Sequence, residues 1–167
     1  LEIPQITNLQ SKMSQNWDKM SQVVHFPRWT HVNISWDQII DKINDDVKDE
    51  HWAYSSKPTS NDPFPTIILE GNTLPSSFVP VSKKVYDDFG FDLLDTYVSF
   101  TPQSKTLGRH CDNIDVFIVG AIGITKYRFD DGKEYTIKSG CGIYIPAGVY
   151  HEPINCTQRA VLSFSNG

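Results

Sequence analysis

Three residues in this chain carry donor atoms that could bind one transition metal. His110-Cys111-Asp112 places an imidazole and a carboxylate two residues apart, and His151 follows 39 residues after Asp112. On a strand, residues i and i+2 point to the same face, so His110 and Asp112 can approach one ion together. A third ligand from a distant strand can join them if the chain closes into a barrel. Two imidazoles and one carboxylate on one face of an ion leave three positions open, the donor set that non-haem Fe(II) oxygenases use. His-x-Asp alone is a common chance match. An isolated histidine more often satisfies a hydrogen bond than binds a metal. His25, His31 and His51 have no such context and read as ordinary structural or surface residues.

The elements that must position these donors are short. From about residue 94 the sequence predicts strands at 96–101, 110–119, 121–129, 134–138, 141–146 and 158–165. Asp130-Asp131-Gly132 sits between two of them as a hairpin turn. Many short strands with Gly and Pro punctuation indicate a sandwich or barrel. Upstream the pattern differs. Ser35 and Gln38 form a capping box for a helix over 36–48, with Trp36, Ile39, Ile40, Ile43 and Val47 on one face. A shorter helix follows Pro80, near 81–89. Residues 55–65 read as a loop, Thr66–Leu69 as a strand, and 1–34 as a wrapping segment without a strong period. The expectation is one domain of mainly β structure, with residues 1–94 helical and irregular and 95–167 forming the barrel.

Bulk properties exclude some classes. The 167 residues are 39% hydrophobic and 21% charged, as in ordinary globular proteins. A formal charge of −5 supplies no general attraction for nucleic acid or anionic membrane. No apolar run reaches the roughly 20 residues that span a bilayer. No signal-peptide pattern opens the chain, which begins at Leu1. Cys111, Cys141 and Cys156 match no zinc spacing and read as reduced thiols. A cytoplasmic location is the expectation.

Around the third donor the string is Gly140-(x)5-Pro146-x-Gly148-(x)2-His151-(x)3-Asn155. It resembles the second conserved motif of the cupin superfamily in every position and spacing. Upstream, His110-Cys111-Asp112-Asn113-Ile114-Asp115-Val116-Phe117 resembles the His-x-Asp-x-x-Asp-Val-Phe run of the JmjC-like cupins, which include ribosomal-protein and asparaginyl hydroxylases. The resemblance covers about residues 95–165. It implies a double-stranded β-helix (a jelly-roll barrel) with His110, Asp112 and His151 as ligands of Fe(II). It also implies 2-oxoglutarate as cosubstrate and hydroxylation of a protein side chain or a small molecule.

The far carboxylate of 2-oxoglutarate needs a buried cation. Many relatives supply a Lys fifteen positions after the first His, where this chain has Thr125. Lys126 is one residue further, and strand alternation turns it outward. Arg159 offers an alternative, because Arg159, Val161, Ser163 and Ser165 share one face of the last strand. Other 2-oxoglutarate oxygenases place an Arg there, and guanidinium suits a carboxylate. Tyr97, Ser99 and Thr125 are candidate hydroxyl donors. Two rivals stand beside this reading: a metal-dependent cupin dioxygenase or isomerase without 2-oxoglutarate, and a non-catalytic ligand-binding barrel. Such barrels often pair through edges or helices, so the resemblance leaves room for a homodimer.

Overall fold

The computed structural model describes residues 20–48, 56–58, 61–70 and 74–167. Trp17, His51 and the side chain of Val47 lie outside the described residues. Among the described residues there are ten strands and two α-helices. In chain order they are β1 (Val24–Phe26), α1 (Trp36–Lys48), β2 (Ser56–Pro58), β3 (Ile67–Glu70), α2 (Val79–Phe89) and β4 (Leu93–Ser99). There follow β5 (Val116–Ile122), β6 (Thr125–Phe129), β7 (Glu134–Ile137), β8 (Gly142–Ile145), β9 (His151–Asn155) and β10 (Arg159–Ser165). A seven-stranded sheet runs β1-β8-β5-β10-β4-β3-β2, and a three-stranded sheet runs β7-β6-β9. Neighbouring strands in both sheets are antiparallel.

The large sheet is buried on both faces, and alternation divides its side chains between two cores. Phe117, Val119, Leu162, Phe164, Val98 and Tyr144 join Ile39 of α1 and Val81, Val85 and Phe89 of α2. Val116, Ile118, Ile143, Ile145 and Val161 face the small sheet and meet Tyr127, Phe129 and Ile137. The second core is the interior of the barrel. β5 is buried at six of its seven positions, because neither face meets solvent.

The predicted strand over 110–119 and the one over 121–129 are cut differently. His110 makes only an isolated bridge, residues 111–115 lie outside any strand, and β5 starts at Val116. The second break falls at Gly123, whose positive φ of 75° lets the chain leave the large sheet for the small one. Gly120 answers a different need. A Cβ there would lie 2.1 Å from the carbonyl oxygen of Lys138, where the chain crosses from β7 to β8.

The N-terminal half is more extended than its sequence pattern indicated. β1 is an edge strand paired with β8, and the N–H groups of Trp29 and Thr30 donate to the Gly140 carbonyl. Part of the expected loop is strand β2 at the opposite edge, where Pro58 fits because an edge needs no donor on its open side. α1 has the predicted capping box: Ser35 N–H donates to Gln38 Oε1 (3.0 Å) and Gln38 N–H to Ser35 Oγ (3.4 Å). Its buried face is rotated from the predicted one. Ile40 is 41% exposed, whereas Lys42 and Asp46 are buried as a mutually neutralising i,i+4 pair. No helix among the described residues is long and apolar enough to cross a membrane.

Gly120→Ala is expected to cost on the order of 3 kcal/mol, since the clash is with backbone that cannot rotate away. Urea unfolding would measure it, and an unchanged midpoint would show that the 138–141 crossover yields freely.

Candidate metal centre and cavity

The two histidines meet through their backbones. His110 N–H donates to the His151 carbonyl (2.9 Å), and His151 N–H returns the bond to the His110 carbonyl (2.8 Å). Their rings lie 4.4 Å apart. Asp112 reaches the same point from the loop after His110. Its Oδ1 is 3.9 Å from His110 Nε2, and its Oδ2 is 3.7 Å from His151 Nε2. One donor atom from each residue lies within 4.8 Å of the others, so a single cation can sit against all three.

The tautomers suit a cation. His110 Nδ1 is 2.8 Å from the Gly108 carbonyl, and His151 Nδ1 is 3.0 Å from the Val149 carbonyl. A carbonyl only accepts, so each Nδ1 carries the proton and each Nε2 presents its lone pair. Burial pushes the His151 pKa down, and nearby His110 adds to this against the opposing pull of the Val149 bond and Asp112. The ring therefore stays neutral, the form that binds metal. Tyr127 and Phe129 pack 6.1 and 6.3 Å from it and hold its orientation.

These donors open into a cavity between the sheets, with Thr66, Tyr97, Ile118, Tyr127, Arg159 and Ser163 on its wall and exposed Leu107 beside it. Arg159 is 2% exposed. Its Nε donates to Ser99 Oγ (3.3 Å), and the Tyr127 hydroxyl contacts the guanidinium. Its Nη1 has no hydrogen-bond partner among the described residues. Burial lowers the Arg159 pKa, an effect that nearby Tyr127 and Tyr97 oppose. Burial, helped by Asp95, raises Tyr97 to about 12. Its phenol is thus protonated at neutral pH and can donate.

The other sequence candidates are placed unequally. Ser99 lies behind Arg159, where it also meets Thr66 Oγ1 (2.9 Å) and Asn155 Nδ2 (3.2 Å). Thr125 is buried with its hydroxyl unpartnered among the described residues, but it stands two residues before Tyr127 on β6 and is not among the residues lining the cavity. Lys126 points outward and pairs with Glu134 at 2.8 Å. Tyr127 escaped the sequence reading. Alternation from Thr125 would have found it, because residues i and i+2 share a face.

No family model and no curated protein matches the chain. Among solved structures, YcfD of Escherichia coli aligns with 99% of this chain and 52% of its own length, at a TM-score of 0.62 and 15% identity. YcfD described as a ribosomal oxygenase in complex with cobalt and 2-oxoglutarate aligns with 90% of this chain and 51% of its own, at a TM-score of 0.60 and 16% identity. The chain thus spans about half the length of these proteins. At such identity the shared property is the fold, a two-sheet cupin-type barrel, and at that level the resemblance read from the motifs holds.

Arg159→Met is expected to stabilise the ligand-free protein by about 1–3 kcal/mol, because a buried charge with an unused donor is exchanged for apolar packing. Denaturant unfolding would test this. A destabilised variant would mean that Ser99 and Tyr127 already satisfy the guanidinium.

Proposed function

We propose that the chain is the barrel of an Fe(II)- and 2-oxoglutarate-dependent oxygenase that hydroxylates a protein side chain or a small molecule. The observation that carries this reading is one cavity with three convergent donors and a buried guanidinium whose Nη1 has no partner among the described residues. A buried cation in search of a partner matches a ligand with a second carboxylate. The cobalt and 2-oxoglutarate bound by YcfD on the same fold support that identity. The His-x-Asp-x-x-Asp-Val-Phe run supports a place in the JmjC-like group.

His110, Asp112 and His151 would hold the ion, and two imidazoles with one carboxylate suit Fe(II). When bound, the iron and its cosubstrate supply the activation of O₂. The chain's own residues do the rest. Gly108 and Val149 carbonyls fix the histidine tautomers. Arg159 receives the far carboxylate, oriented from behind by Ser99 and from the side by Tyr127. Tyr97 adds a protonated hydroxyl. Ile118 adds an apolar wall to the cavity.

Thr125, where many relatives have Lys, favours a second reading: a metal-dependent dioxygenase or isomerase without 2-oxoglutarate. Anaerobic titration with Fe(II) and then 2-oxoglutarate separates the two. One ion per chain and a weak visible charge-transfer band are expected; metal uptake without the band favours the second reading, and no uptake leaves a ligand-binding barrel. Asp112→Ala should abolish tight metal uptake. Arg159→Ala should weaken 2-oxoglutarate binding by on the order of 2–5 kcal/mol and leave metal uptake nearly intact, because the carboxylate stays buried without its partner. Lys126→Ala should change neither. A loss on Lys126→Ala with a silent Arg159→Ala would move the anchor from β10 to β6, with the register of β6 off by one residue.

A further inference from the structure

We infer that Asp115 is a positioning residue: its carboxylate ties the Asp112 loop to the turn before His151 and so sets the metal affinity of the triad without touching the ion. The inference rests on the reading of His110, Asp112 and His151 as metal ligands. The two histidines are held by their mutual backbone bridge. Asp112 has no equivalent. It lies in the stretch 111–115 outside any strand, and its side chain is half-exposed. Between the bridge at His110 and the start of β5 at Val116, the Asp112 backbone is tied to the facing turn by one bond, from Gly148 N–H to the Asp112 carbonyl at 2.8 Å. Between its two anchored ends, a loop with a single backbone tie can pivot about that tie.

Asp115 supplies further ties. Its Oδ1 accepts the N–H of Ala147 at 2.7 Å, and its Oδ2 accepts the hydroxyl of Tyr144. Ala147 belongs to the turn that delivers His151. Tyr144 is on β8, and its fully buried ring lies 6.0 Å from Phe89 and 6.2 Å from Phe91. The carboxylate therefore joins three things: the loop that carries Asp112, the turn that carries His151, and the aromatic layer under α2. Hydrogen bonds to an ionised carboxylate are among the strongest neutral donors make, so these ties are stiff ones.

A different role for Asp115 is as a fourth ligand. Both of its oxygens are already occupied by an N–H and an O–H, and it is not among the residues whose donor atoms converge. A role as an ordinary surface carboxylate also fits poorly. Asp115 is half-buried, and its partners come from two places on the facing segment rather than from its own loop.

The test is a titration of the full chain with Co(II) alone, followed by visible absorption, with circular dichroism confirming that each variant is folded. Loss of an outer support typically costs about 10–100-fold in metal affinity, and Asp115→Ala should fall in that range. Asp115→Asn keeps an oxygen for Ala147 N–H and an amide that can donate to the Tyr144 oxygen, so it should recover most of the affinity. Tyr144→Phe should weaken binding less than Asp115→Ala, and should cost nothing further when Asp115 is already Ala. Parent-like affinity and spectrum in Asp115→Ala would overturn the inference and leave the metal centre standing. If Asp115→Ala does not fold, Tyr144→Phe decides, and unchanged Co(II) affinity overturns the inference. If the parent itself takes up no Co(II), the metal reading fails and the role of Asp115 fails with it.

Discussion

A strand buried on both faces must send each side chain into one core or the other, and this constraint governs the large sheet. Along β10, Ala160, Leu162 and Phe164 enter the core beneath the helices, while Val161 enters the barrel and Arg159 and Ser163 line its cavity. Along β5, Phe117 and Val119 take the first direction, and Val116 and Ile118 the second. A slip of one residue would exchange the two sets, driving Arg159 into the helix-side core and Phe164 into the cavity. Close backbone approaches help to prevent it. At Gly142 a Cβ would lie 2.5 Å from the Phe117 ring, as Gly120 likewise leaves no room against Lys138.

The barrel's polar groups are tolerable only because the sheets support them. Burying Arg159 has an energetic cost, and the Ser99, Thr66 and Asn155 cluster behind it offsets part of that cost. The apolar packing of the two cores bears the burden that the site imposes.

The candidate metal centre is assembled at the margin of regular structure. His151 begins β9, His110 is held only by its bridge, and Asp112 comes from a loop. Such an arrangement leaves one side of the three donors open toward the cavity, whereas ligands buried within strands would be walled in. It also makes the geometry depend on bonds between loops, which are weaker determinants than a ladder.

Much of this was legible in the chain. The capping box at Ser35 and Gln38, the turn at Asp130–Gly132, the outward face of Lys126 and the alternation along β10 are local patterns, set by residues close in sequence. The motif around His151 carries the turn that presents it, so the barrel itself was also readable. The tertiary structure decided what depends on distant partners. β1 and β2 are three residues each, too short to show a period, and exist only because β8 and β3 offer free edges. The buried Lys42–Asp46 pair rotated the face of α1 away from Ile40, which no apolar pattern records. The contact of Tyr127 with Arg159 arises from packing two sheets face to face, and the approach of Asp112 to both histidines from the loop after the His110 bridge. Sequence spacing specifies which face a side chain takes; only the closed barrel specifies what it meets there.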